Sequence, residues 1–204
     1  MAYSDFTFEQ LETQLGLRFD EQPLFDGVAL AEPSPWLLKS LALAQRFGFV
    51  GEKSRSERLI SPVLLDVAVR YSDLVTVQSG ILLTVDPQIG LNGECDFVLS
   101  YGRIREFLTT PIFCVAEAKR QDMELGIVQG AAQLVGAWRH NQRRQATLSF
   151  LYGCATTGTE WRFMRLEGNL LTLDANRYFL TDLSKLLGVL QSIVEEGRPY
   201  APAM

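Results

Sequence analysis

An acid and an amine close an otherwise apolar run in Ile112-Phe113-Cys114-Val115-Ala116-Glu117-Ala118-Lys119. The apolar start of this run predicts a central strand covered on both faces. Side chains alternate along a strand, so Glu117 and Lys119 share one face, while Ala116 and Ala118 leave the other small enough for a helix to press against it. A carboxylate and an ammonium at the end of a core strand carry a heavy desolvation cost unless they are paired or bound to a metal. A second acid follows a turn and precedes an apolar run in Gly93-Glu94-Cys95-Asp96-Phe97-Val98-Leu99. Antiparallel pairing of the two strands would bring Asp96 beside Glu117. Two converging carboxylates repel each other unless a proton or a cation joins them. Mg²⁺ or Mn²⁺ is the natural third partner, because such ions take oxygen ligands and keep several waters.

Composition narrows the chemistry to carboxylates. His140 is the only histidine, so a His-Cys zinc site, a two-histidine metal site or a Ser-His-Asp arrangement would all depend on that one residue. Three cysteines, Cys95, Cys114 and Cys154, lack CxxC spacing and sit in or beside apolar stretches, as buried thiols in a reducing compartment do. The net charge is −5, from 19 Lys plus Arg against 24 Asp plus Glu, so any nucleic-acid site must be a local basic surface. The first residues show neither a basic nor a continuous apolar leader segment, and no run has the length that spans a bilayer. The expectation is a cytoplasmic protein without a membrane partner. Gly48-Phe-Val-Gly51-Glu-Lys53-Ser54 has the look of a phosphate-binding loop, but Glu52 breaks the required Gly-Lys-Ser and no strand precedes it.

The elements that must position these residues follow from periodicity. With 204 residues and 47% hydrophobic content, one domain is expected, with residues 1–50 as a helical decoration and 51–200 as the core. The decoration holds helical patches at Phe8 to Leu15 and Pro35 to Phe47. Ser56 to Tyr71 places Leu59, Ile60, Val63, Leu64, Val67, Ala68 and Tyr71 at helical spacing. Strands are predicted over Leu74 to Val85, Glu94 to Ser100 and Pro111 to Lys119, the first two as a hairpin. A helix then runs from Asp122 or Met123 to Asn141. Two more strands, Thr147 to Ala155 and Trp161 to Leu166, join through Thr156-Thr157-Gly158, and a last helix runs from Thr181 as N-cap to about Glu196. The expected fold class is α/β, a mixed central sheet flanked by helices on both faces.

Asp96, then Glu117-Ala-Lys119 on the next strand, then Gln129 on the following helix resemble the motif order of the PD-(D/E)xK, or restriction-endonuclease-like, nuclease superfamily. Upstream, Ser56-Glu57-Arg-Leu-Ile-Ser-Pro62 is similar to the Glu-bearing first helix of the nuclease domain in type I restriction enzyme motor subunits. Cys95 stands where the name-giving Pro would be. The resemblance covers about Glu57 to Gln133 and implies an αβββαβ core. It implies that Asp96 and Glu117 bind Mg²⁺ or Mn²⁺, with the Ala118 carbonyl as a further ligand and Glu57 holding a metal-bound water or a second ion. Lys119 would position the attacking water and steady charge on the scissile phosphate, and Gln129 would orient Lys119 or contact phosphate. DNA is the implied substrate, and cleavage of both its strands would require a homodimer or a second visit.

Plainer readings stand beside these. Glu117 and Lys119 would form an ordinary ion pair at an exposed strand end. Ser54-Arg-Ser-Glu57 fits a capping box, and Gln133 fits the solvated face of its helix. Arg139, Arg143 and Arg144 form the most basic segment and could track a phosphate backbone, or serve as cations at a helix C-terminus. Arg120, next to the site, has the better claim to phosphate. At the level of function, a non-catalytic member of the nuclease fold, acting as a binding or assembly module, is the alternative to an active nuclease. A metal-dependent phosphoesterase of small nucleotides is a third.

Overall fold

The run that ends in Glu117 and Lys119 forms an interior strand, buried along its whole length. The computed structural model describes residues 1–104, 106–119, 121–146 and 148–202. Its strands are β1 (Arg18–Gln22), β2 (Val75–Leu82), β3 (Glu94–Tyr101), β4 (Ile112–Ala118), β5 (Leu151–Thr156), β6 (Glu160–Glu167), β7 (Leu170–Asp174) and β8 (Tyr178–Phe179). Its helices are α1 (Phe8–Thr13), α2 (Pro35–Phe47), α3 (Glu52–Arg55), α4 (Ser61–Arg70), α5 (Met123–Arg143) and α6 (Leu183–Gly197). One mixed sheet runs in the order β1-β7-β6-β5-β4-β3-β2, with β8 beside β6. The β1/β7 and β4/β5 pairs are parallel and the others antiparallel. The α/β class and the β2/β3 hairpin are therefore as expected, and α5 supplies the crossover that a parallel β4/β5 pair requires.

Neighbouring residues of β5 separate the two helical layers. At Gly153 the sheet faces α5, where an added Cβ would lie 2.7 Å from Leu134 Cδ1. At Tyr152 the hydroxyl donates to Glu196 of α6 on the opposite face. The face that meets α5 is also the one that carries Glu117 and Lys119. Gly126 and Gly130 let the helix come that near: Gly126 lies against Lys119 and Ala155, and Gly130 against Met164 and Glu117. Asn141 fastens the far end of α5 to the start of β4, accepting from Ile112 N at 2.9 Å and donating to Ile112 O at 2.7 Å.

Four local expectations are corrected. The first 50 residues are more than a helical decoration, because β1 is an edge strand of the main sheet and Tyr3 is buried against Gly136 of α5. Two strands beyond Leu166, β7 and β8, were not expected. Thr181 is not the N-cap of α6: the chain makes a 3-10 turn over Leu180–Asp182, and Asp182 precedes the helix without a side-chain cap. The helix expected from Ser56 begins at Glu52 and passes through a π turn, Ser56–Ile60, before α4. Pro62 accounts for the wider turn. A proline inside a helix has no N–H to offer and crowds the carbonyl four residues earlier, here that of Arg58, so the ladder opens at Ser61, whose N–H reaches back to Ser56. Thr147, the expected start of a strand, lies outside the described residues, and β5 begins at Leu151.

Candidate functional site

The β3/β4 register pairs Phe97 with Ala116, so one step further Asp96 comes abreast of Glu117. Asp96 Oδ2 accepts from the Ala118 N–H at 2.7 Å. The N–H and C=O of one strand residue point the same way, which turns the Ala118 carbonyl toward β3 as well. The next peptide faces the other side, where the Lys119 N–H donates to Thr156 O at 2.8 Å.

Glu117 is 2% exposed and both its oxygens are engaged. Lys119 Nζ donates to Oε1 at 2.8 Å, and Gln133 Nε2 donates to Oε2 at 2.7 Å. Lys119 Nζ also donates to Gln129 Oε1 at 2.9 Å. One turn of α5 thus aims the amine, and the next fixes the carboxylate. Gln133 is fully buried; its Nε2 also reaches Glu94 O at 3.3 Å, and its Oε1 has no hydrogen-bond partner. The expectation of a solvated Gln133 is corrected: small residues around it press this face of α5 onto the sheet. The signal was present in the sequence as Gly130-Ala-Ala-Gln133 and Gly136, a stripe too small for an exposed helix face.

The electrostatics follow from this crowding. Burial, then the neighbouring Asp96 charge, push the Glu117 carboxyl up to about 7, against the opposing pull of Lys119 and Gln133. Burial raises Asp96 too, countered by the Ala118 N–H, the Lys119 charge and a side-chain contact with Glu117. Lys119 is half-buried, which favours its neutral form, yet the Glu117 contact and the charges of Glu117, Glu52 and Asp96 outweigh that and hold its pKa above the ordinary value. The amine is a permanent cation at neutral pH.

The other expected residues are dispersed. Glu57 is exposed on the π turn, and the capping box expected of it is absent from its place: Gly51 is the N-cap, and Ser54 makes the local hydrogen bonds with it. The acid of this helix that acts on both Asp96 and Lys119 is Glu52, which sequence reasoning missed because the predicted helix began at Ser56. Arg139 lies 3.7 Å from Asp86, and Arg143 donates to Val85 O. Both sit toward the C-terminal end of α5, ten and fourteen residues beyond Gln129 or ~15–21 Å along the helix. Arg144, just past that end, is exposed. These arginines do not join Asp96, Glu117 and Lys119 in the structure. Arg120 lies outside the described residues.

Among the described residues, no group of three or more Asp, Glu, His and Cys side chains is placed to hold a metal ion. Two carboxylates with water completing the shell nevertheless match the habit of Mg²⁺, which is held by one or two carboxylates and dehydrates reluctantly. The raised Glu117 carboxyl reflects its burial and the Asp96 charge beside it. The described residues contain no helix long and apolar enough to cross a membrane. No family model matches the sequence, and comparison with curated proteins and with solved structures gives no match.

Proposed function

We propose that this protein is a metal-dependent nuclease of the PD-(D/E)xK kind, hydrolysing phosphodiester bonds in DNA. The observation that carries the reading is the Lys119 ammonium, bonded to Glu117 and Gln129 on the strand face that Asp96 also occupies. The run α3–α4, β2, β3, β4, α5, β5 follows the expected αβββαβ order, which supports a restriction-endonuclease-like core.

Bound Mg²⁺ or Mn²⁺ would supply Lewis acidity at the scissile phosphate and a more acidic attacking water. Asp96 and Glu117 would hold it, with the Ala118 carbonyl turned to the same side. Lys119 keeps its charge and stabilises the negative charge that grows on the phosphate oxygens. Gln129 fixes the direction of that amine. Glu52, whose charge acts on both Asp96 and Lys119, joins Glu57 as a helical acid that would hold a metal-bound water. One P–O bond forms to the water oxygen, which releases a proton to solvent, and the bond to the leaving oxygen breaks, that oxygen taking a proton from solvent. The buried free thiols suit a cytoplasmic setting.

The test is incubation with single-stranded, double-stranded and branched DNA in Mg²⁺ or Mn²⁺. Cleavage is expected for the natural chain, with loss in Asp96→Ala and in Lys119→Ala. Cleavage that survives both substitutions would remove this site from the reaction, and no cleavage of any substrate would leave a binding or assembly module instead.

A further inference from the structure

We infer that the surface formed by the α2–α3 loop and the adjoining β5–β6 turn binds single-stranded DNA by base stacking, an inference that rests on the nuclease reading and names its substrate class. The loop Phe47-Gly48-Phe49-Val50-Gly51 leads directly into Glu52, the acid that acts on Asp96 and Lys119. Phe47 is 70% and Val50 78% exposed, among the most exposed large apolar side chains of the protein. The loop is nevertheless held: Arg58 donates to the carbonyls of Phe47 and Gly48, and the Arg46 guanidinium lies 5.8 Å from the Phe47 ring centre. An aromatic ring held out to solvent by its own backbone contacts is a stacking platform.

Behind the loop is a cavity of about 370 Å³, walled by Phe49, Leu59 and Phe179, with Gln45, Thr159 and Glu160 among its polar groups, the last neutralised by its ion pair with Arg177. Its size, aromatic walls and mixed donors and acceptors suit an unpaired base, whose flat faces stack and whose edge hydrogen-bonds. The cavity opens at the end of the sheet where β4 and β5 finish. Thr156 bonds the Lys119 amide and Thr157 O accepts from Arg55 at 2.9 Å, while Thr159 is three residues past Thr156, a reach of at most ~10 Å. Charge complementarity points to the same occupant. Between Arg46 and Arg58 stand four cations, Arg46, Lys53, Arg55 and Arg58, against two acids, in a chain whose net charge is −5. A duplex keeps its bases stacked and offers none to such a cavity, so the preferred strand is unpaired.

Binding is measured by fluorescence anisotropy in EDTA, where no cleavage intervenes, with a labelled single strand and a duplex of the same length. The natural chain is expected to favour the single strand. Phe47→Ala and Phe179→Ala, both at exposed rings, are each expected to weaken single-strand binding about fivefold or more and to leave duplex binding unchanged. Phe47→Trp is expected to retain binding, with its fluorescence quenched by the strand. Lys53→Ala should lower the slope of log affinity against log salt by about one for either DNA. Equal affinity in the natural chain and both alanine variants, a preference for duplex, or no DNA binding overturns the inference. Binding that behaves as expected in a protein that cleaves nothing in Mg²⁺ or Mn²⁺ sinks the nuclease reading alone. Cleavage indifferent to Phe47 and Phe179 sinks this inference alone.

Discussion

Glu117 titrates near 4.5 in an unfolded chain and near about 7 in the folded one, because burial and the Asp96 charge oppose its ionisation. Between those values the folded state holds a proton that the unfolded state has released, so each rise in pH across that window favours unfolding, and above about 7 the full penalty is in place. Asp96 shifts in the same direction. The metal-free protein is therefore expected to lose several degrees of Tm between about pH 5 and about pH 8, and Mn²⁺ should restore stability at the upper end, where both carboxylates are ionised. A Tm that rises over this range in EDTA would contradict the crowded carboxylate pair. Gln133 gives a second handle, since it orients Glu117 without a place of its own at the substrate. Gln133→Met keeps the volume, removes the bond to Oε2 and also removes the partnerless Oε1. Calorimetry should then show Mn²⁺ affinity reduced about tenfold or more in a folded protein; unchanged affinity would reduce Gln133 to packing. Asp96, Glu117 and Lys119 were legible because strand alternation is a local rule and charges stand out in apolar runs, whereas Gln129 was reached only through the motif resemblance. Gln133 was misread although the small residues around it marked the buried face, and Glu52 was missed because it depends on where the helix begins.

The elements that carry these residues depend on close approach between α5 and the sheet. At Gly126 an added Cβ would lie 3.1 Å from Lys119 Cγ and 3.2 Å from Ala155 Cβ. Gly126→Ala gains up to ~1 kcal/mol of helix propensity, which offsets the crowding, while the Lys119 stem must move. Stability is therefore expected to change little and cleavage to fall at least tenfold. Retained cleavage would show that the amine tolerates displacement. Asn141 acts at the other end of the same helix. Asn141→Leu strands the N–H and C=O of Ile112 and should cost roughly 2–6 kcal/mol, read by urea unfolding, because each buried group left unpaired costs about 1–3 kcal/mol. Most of the elements from α2 to β6 could be read from apolar periodicity. The missed strands have physical explanations. Arg18–Gln22 is an edge strand with little buried surface, so it lacks apolar alternation and is defined by its parallel partner β7. The turn into β7 was legible in Glu167-Gly168-Asn169-Leu170, where Gly168 adopts a positive φ of 60°; Gly-Asn between apolar runs is a hairpin signal.

At the scale of the whole molecule, the proposed function requires an acidic body to bring a phosphate chain to a carboxylate pair. The net charge of −5 repels DNA at long range, so affinity has to come from local cations and apolar contacts that operate only at short distance. Such binding should depend less steeply on salt than that of a basic protein with many phosphate contacts. The molecule also carries its acids and lysine as one constellation, and on the proposed function one constellation would cut one strand. Homodimerisation, if it accompanied the reaction, would place a second site on the opposite strand and join the two cuts in time. The geometry around Glu117 is complete within the chain, with Lys119, Gln129, Gln133 and the Ala118 N–H all contributed in cis, so a second copy is not needed to build it. Supercoiled plasmid treated with this protein in Mn²⁺ should therefore pass first to nicked circles, with an initial rate proportional to protein concentration. Linear plasmid should follow only after nicks have accumulated on both strands. Linear product that appears from the start, with a rate rising as the square of concentration at low protein, would instead mean that two copies act together. Strand opening in supercoiled DNA also exposes unpaired bases, so relaxed plasmid of the same sequence should be nicked more slowly if single strands are the preferred substrate.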